Sequence, residues 1–184
     1  MTSTPTRLSY EARILVAPLG ASGNAMVQAM AAGNLTNIRI VADAGQSAAS
    51  VRDIQGAVGT EFTETMADLA ASADMMILLG SDLTEVPSAF VATVARAARA
   101  NGVLLAGILV DQHNWESARG AYAMAVLRRE LDMLVSVREI GLATAFIDVL
   151  KGGHRKPADA GTAPRAATPA TNAEIENSTG RGTV

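Results

Sequence analysis

Three apolar runs constrain this chain more than any other feature: Ile14-Leu-Val, Met75-Met-Ile-Leu-Leu and Val103-Leu-Leu-Ala-Gly-Ile-Leu-Val. None alternates apolar with polar residues, so each suits a strand buried on both faces. Helix-length segments lie between them. Doubly buried strands spaced by helices imply an α/β fold, a mostly parallel sheet flanked by helices. The pattern predicts strand 13–17, helix 23–32, a strand over Asn37–Ala42 and a loop or short element over Val51–Val58. A helix then starts at Thr60, a strand runs Asp74–Gly80, and a helix follows with Pro87 in its first turn. Strand Val103–Val110, amphipathic helix Trp115–Leu131, strand Met133–Val137 and helix Gly141–Leu150 complete the folded part.

Composition narrows the function classes. A chain of 184 residues, 49% hydrophobic and 18% charged, can bury one full core. Its net charge of −3 argues against a general nucleic-acid binder. With no cysteine, thiolate and disulfide chemistry are excluded. His113 and His154 are too far apart to suggest a metal site. No apolar run approaches the roughly 20 residues of a membrane span. Residues 1–12 read as a flexible N-terminus without a signal peptide's apolar core, which makes the cytoplasm the default location. Residues 153–184, rich in Pro, Ala, Thr and Gly, read as a disordered tail. His154, Arg155 and Lys156 at its root are a solvated linker or a small partner-binding spot. The methionines (Met26, Met30, Met75, Met76, Met133) fit core filling better than a cofactor box.

In sheets of this kind ligands bind beyond the carboxyl ends of the strands. Four loops therefore carry the functional expectation: Gly20–Asn24, Ala42–Ser47, Gly80–Val86 and Asp111–Arg119. The first is a strand–turn–helix passage, Gly20-Ala-Ser-Gly-Asn. It suits a phosphate held by helix N–H groups, or simply a tight turn that needs glycine. Asp111, His113 and Glu116 follow a strand end, where catalytic groups would lie. The plainer account is a polar loop with Trp115 stapling the next helix.

The order of these pieces resembles the N-terminal GTP-binding domain of FtsZ, the bacterial tubulin-like cell-division protein. Gly23-Asn24-Ala25 matches the end of the family's first loop, Ala32-Gly33-Asn34-Leu35 its next turn, and Asp43-Ala44-Gly45-Gln46 its Asp-Ala-Gln segment. Gly56-Ala-Val-Gly59, Ala73-Asp-Met75, Gly102–Val110, Trp115-Glu-Ser-Ala-Arg119, Leu131–Val135 and Asp148–Gly152 follow collinearly over residues 13–152. The resemblance implies a Rossmann-like domain. If guanine nucleotide binds, it would use Gly20, Ala21, Ser22, Gly23, Asn24, Asp43, Gly80, Ser81, Thr84, Glu116, Arg119 and Asp148.

The departures point away from GTP chemistry. The family's Gly-Gly-Gly-Thr-Gly-Thr-Gly signature is replaced by Gly80-Ser-Asp-Leu-Thr-Glu-Val86. Leu83 and Val86 would keep the backbone from the phosphates, and Asp82 and Glu85 would put negative charge against them. A bound Mg²⁺ would reverse that sign. Glu139 stands where the family has a guanine-contacting Asn. Beyond Lys151 the family continues into a second domain with an acidic hydrolytic loop, and the tail here reads as lacking it. The expectation is a structural or assembly module, not a GTPase, with no cofactor and with a homo-oligomer or hetero-complex formed through an apolar face of the last helix. Ala143, Ala145, Phe146, Val149 and Leu150 would make that face. The alternative is a guanine-nucleotide-dependent switch or weak GTPase binding GTP or GDP. A more distant option is a phosphosugar site at Leu79–Thr84.

Overall fold

The computed structural model describes residues 10–32, 38–42, 49–53 and 63–152. The chain runs β1 (Ile14–Pro18), α1 (Gly20–Ala32), β2 (Ile38–Ala42), β3 (Ala49–Asp53), β4 (Thr63–Glu64), α2 (Met66–Ala71) and β5 (Met75–Asp82). A single 3-10 turn, Leu83–Glu85, leads into α3 (Ser88–Asn101). Then come β6 (Leu104–His113), α4 (Ala118–Glu130), β7 (Met133–Val137) and α5 (Ile140–Lys151).

The sheet order is β4-β3-β2-β1-β5-β6-β7. The five strands from β2 to β7 in that order are all parallel, and β3 and β4 add antiparallel at the far edge. This is the expected helix-flanked, Rossmann-like α/β arrangement. Ile14 lies opposite both Ile38 and Met75, so β1 occupies the middle of the sheet.

Doubly buried strands explain the continuous apolar runs. Along β5, Met76 and Leu78 enter one core layer beneath α2, α3 and α4, with Leu69, Val91, Val94 and Leu127. Ile77 and Leu79 enter the other, beneath α1 and α5, with Val27, Met30, Ala143 and Ile147. Each fully buried Leu or Ile contributes about 1.5–3 kcal/mol. At the amino end of the sheet, Asp74 accepts hydrogen bonds from Arg13 Nη2, the Arg13 backbone N–H and Tyr10 Oη, each at 2.8 Å. The Arg13 guanidinium holds the Asp74 carboxyl well below the usual carboxylate range.

Several boundaries differ from expectation, each for a local reason. α1 starts at Gly20, not residue 23, because Gly20 takes a φ of 73° that turns the chain directly into the helix. The helix expected from Thr60 starts at Met66. Thr65 caps it, with its hydroxyl and the Asp68 carboxylate each bonding the other's backbone N–H in a capping box. Thr63–Glu64 pair with β3 instead. Ala49–Asp53, expected as a loop or short element from Val51, is a strand. The helix expected from Trp115 starts at Ala118, where Ser117 Oγ accepts from the Gly120 N–H at 2.9 Å. Trp115 is 56% exposed and precedes the helix start. The expectations for Gly33–Asn34, Asp43–Gln46, Gly56–Gly59 and residues 153–184 lie outside the described residues. Among the described residues no helix is long and apolar enough to cross a membrane.

Candidate functional site

The carboxyl ends of β1, β5 and β6 bring three of the expected loops together. At the first, Leu19 N–H donates to Leu79 O at 2.7 Å, tying the β1 exit to β5. Gly23 then lies so close to β5 that a Cβ there would stand 2.4 Å from Leu79 O. These contacts aim the first turn of α1 at the segment that follows β5.

That segment delivers a carboxylate to the helix. Glu85, at the end of the 3-10 turn, places Oε2 2.8 Å from the Ser22 backbone N–H. A Cβ on Gly20 would meet Glu85 Cβ at 2.4 Å and Oε2 at 2.7 Å. The positive end of α1 is thus filled by an anion from the chain itself, a favourable placement for a carboxylate. Ser22 also accepts, through Oγ, from the Asp82 N–H at 3.3 Å. Asn24 folds back, its Nδ2 donating to Gly20 O at 3.1 Å. Ala21 is exposed, and Gly80 is buried against Leu19.

Asp82 faces away from the helix. Its Oδ1 accepts from the Thr84 N–H at 2.8 Å and from Thr84 Oγ1 at 2.7 Å, and its Oδ2 accepts from Asn114 Nδ2 at 2.9 Å. His113 Nε2 lies 3.6 Å from the same Oδ2. The Asn114 amide first, then the Thr84 donors and the nearby His113, lower the Asp82 pKa to about 2. Asp82 therefore stays ionised. His113 ends β6 and Asn114 follows it, and Asp111 and Asn114 take left-handed φ angles of 45° and 59°. Only Asx residues and glycine adopt that conformation readily.

Ser81, His113 and Asp82 look like a nucleophile–base–acid row, but the atoms oppose that use. His113 Nδ1 is 3.1 Å from Asp111 O and 3.2 Å from Ser81 Oγ. A carbonyl only accepts, so Asp111 O competes with Ser81 for this ring nitrogen, and in the tautomer that donates to the carbonyl Nδ1 takes no proton from Ser81. The Ser81 hydroxyl donates to the same carbonyl at 3.3 Å. The cluster is a latch that ties β6 to the β5 exit. Among the described residues no group of three or more His, Asp or Glu side chains is placed to hold a metal ion.

Other expected residues fall elsewhere. Leu83 and Val86 are buried in the core and obstruct nothing at the loop surface, because the 3-10 turn rotates them inward; Glu85 is the obstructing side chain. Glu116 is exposed on the β6–α4 connection, and Arg119 is exposed in the first turn of α4. Nearby, Trp115, Met124, Ala125 and Arg128 line an open groove of about 440 Å³. Asp148 is not brought to this site. It sits near the end of α5, where the Ala12 N–H donates to Lys151 O beside the start of β1, and it lies 3.4 Å from Lys151 Nζ. Asp43 lies outside the described residues.

The apolar face expected on α5 is divided. Ala143 and Ile147, one turn apart, are buried against the sheet, and Phe146 and Leu150 pack beside them. Ala145 points outward with Val149, which is 75% exposed, and Leu142, which is 51% exposed. The helix has settled onto the sheet along its 143–147–150 stripe.

No family model matches this sequence, and no curated protein matches it. The fit of a guanine nucleotide thus rests on the residues alone. With its phosphates on the N-terminus of α1, such a ligand would meet the Glu85 carboxylate. At 4 Å each pair of unit charges repels by about 4 kcal/mol at an effective dielectric of 20. With Glu85 where it stands, phosphates on this helix end would lie against a carboxylate.

Proposed function

We propose that this chain is an FtsZ/tubulin-like α/β module that works by association and does not turn over nucleotide. One observation carries the reading: the Glu85 carboxylate bonds the Ser22 N–H at the place where a nucleotide's phosphates would lie. A site already neutralised and filled by its own chain gains little from a second anion. The collinear pattern over residues 13–152 supports the family, and the sheet order is consistent with such a domain.

A second reading is favoured by Gly20 and Gly23, which keep the backbone of the first α1 turn bare. In it, Glu85 withdraws and GTP or GDP takes its place, making the module a switch. The test is the guanine nucleotide released by acid from purified protein, together with phosphate release under excess GTP and Mg²⁺. The association reading expects neither nucleotide nor turnover above background. Near-stoichiometric GDP or GTP would replace it with the switch.

A further inference from the structure

The two edges of the sheet are not alike. Among the described residues, one ends in the two-residue β4, Thr63–Glu64. The other ends in β7, Met133-Leu-Val-Ser-Val137, five residues with no proline, glycine or charge. Four of the five are only half-buried, and the fifth, Ser136, is exposed. None of the usual devices that blunt an edge is present within the strand.

The flanking residues say what fits there. Asp132 precedes β7 and Arg138 follows it, and both are exposed. When two copies of β7 lie antiparallel with a twofold axis at Val135, Met133 faces Val137 and Leu134 faces Ser136. Each end of the ladder then sets Asp132 of one copy against Arg138 of the other. Asp132 spends Oδ2 on the Leu105 N–H at 2.9 Å, and its second oxygen is left for that pairing. Moving the axis to Ser136 instead sets Arg138 against Leu134 and Glu139 against Met133. With the axis at Val135 the strand is therefore complementary to itself, as a closed twofold interface requires. An antiparallel neighbour on a parallel sheet is a common mixed arrangement, and β3 already provides one on the other side.

We infer that β7 is the edge through which two copies of this chain join, antiparallel about Val135, into one continuous sheet. The inference deepens the association reading and rests on it. It differs from a helix-face contact in that α5 stays outside the joint.

The chain contains no cysteine, so single cysteines report the geometry directly. Residues facing across antiparallel strands have Cα atoms about 4.5–5.5 Å apart, within disulfide range. Val135→Cys is expected to convert to a disulfide dimer under mild oxidation, and Val149→Cys on α5 is not. Arg138→Asp, at an exposed position, opposes Asp132 of the other copy at both ends and is expected to weaken the untreated dimer about tenfold in light scattering. Asp132→Asn keeps an oxygen for Leu105, and combined with Arg138→Asp it should recover part of the loss. A dimer trapped by Val149→Cys but not by Val135→Cys overturns the β7 joint and leaves association standing. A monomer at every concentration overturns the joint as well. The nucleotide assay reads Glu85 and not β7, so failure of the joint and failure of the reading it rests on are told apart.

Discussion

Replacing Glu85 tests the filled helix terminus most directly. Glu85→Ala removes the acceptor of the Ser22 N–H and the negative charge at the start of α1. A hydrogen bond to a charged group contributes about 1.5–3 kcal/mol. Its dipole component, about 0.3–1 kcal/mol, is already contained in that figure. Ser22 and Glu85 are half-buried, so water can reach the freed N–H and return part of the loss. The expected cost is about 1–2 kcal/mol, or roughly 2–8 °C in Tm for a chain of this size. Glu85→Gln keeps an oxygen of the same reach but loses the charge, and should fall between Glu85→Ala and the parent. Urea unfolding would read both as a shift in midpoint at constant slope. Adding millimolar phosphate at matched ionic strength should then stabilise Glu85→Ala more than the parent, because only the variant has a bare anion site. Two results would refute the reasoning. One is Glu85→Ala as stable as the parent within about 0.3 kcal/mol, well under the expected hydrogen-bond loss. The other is an equal response of both proteins to phosphate.

Two further outcomes follow from neighbouring contacts. Folding holds the Asp82 carboxyl near 2, below its ordinary value. As pH falls, the unfolded chain therefore takes up the proton first. The stabilisation is whole above about pH 4 and is lost as pH drops toward 2. Asp82→Asn should flatten that acid limb in denaturant titrations between pH 5 and 2.5; an unchanged slope would remove Asp82 as its source. At the start of α4, a Cβ on Gly120 would stand 1.9 Å from Asn114 O. Gly120→Ala should therefore cost about 3 kcal/mol or more by calorimetry, and a cost under about 1 kcal/mol would mean that the loop yields easily.

Much of the architecture was legible because doubly buried strands leave an uninterrupted apolar trace, as in Met76–Leu79 and Leu105–Val110. The site was legible only in part. The sign of Glu85 was readable as hostile to phosphate, but nothing in sequence spacing says which of Asp82 and Glu85 turns toward α1. The 3-10 turn decides it, pointing Glu85 at Ser22 and Asp82 at Thr84 and Asn114. His113 and Asn114 were hidden for a different reason. They meet Asp82 only through the β5–β6 register, which shifts just past Gly80 and pairs Asp82 with His113. On α5, the apolar count was right but the facing was not. Helical phase alone left open whether Phe146 and Leu150 or Val149 would meet the sheet.

The central place of β1 bears on how the chain is made. Among the described strands it leaves the ribosome first, yet one of its two neighbours, β5, lies well beyond it in sequence. β5, β6 and β7 pair in chain order across single helices, so that half closes short loops, while seating β1 closes a long one. A nascent chain that has emerged only as far as α2 carries Ile14, Leu15 and Val16 with β2 on one side and no β5 on the other. That half-built sheet exposes its most apolar strand during synthesis, and it is the species a chaperone would meet.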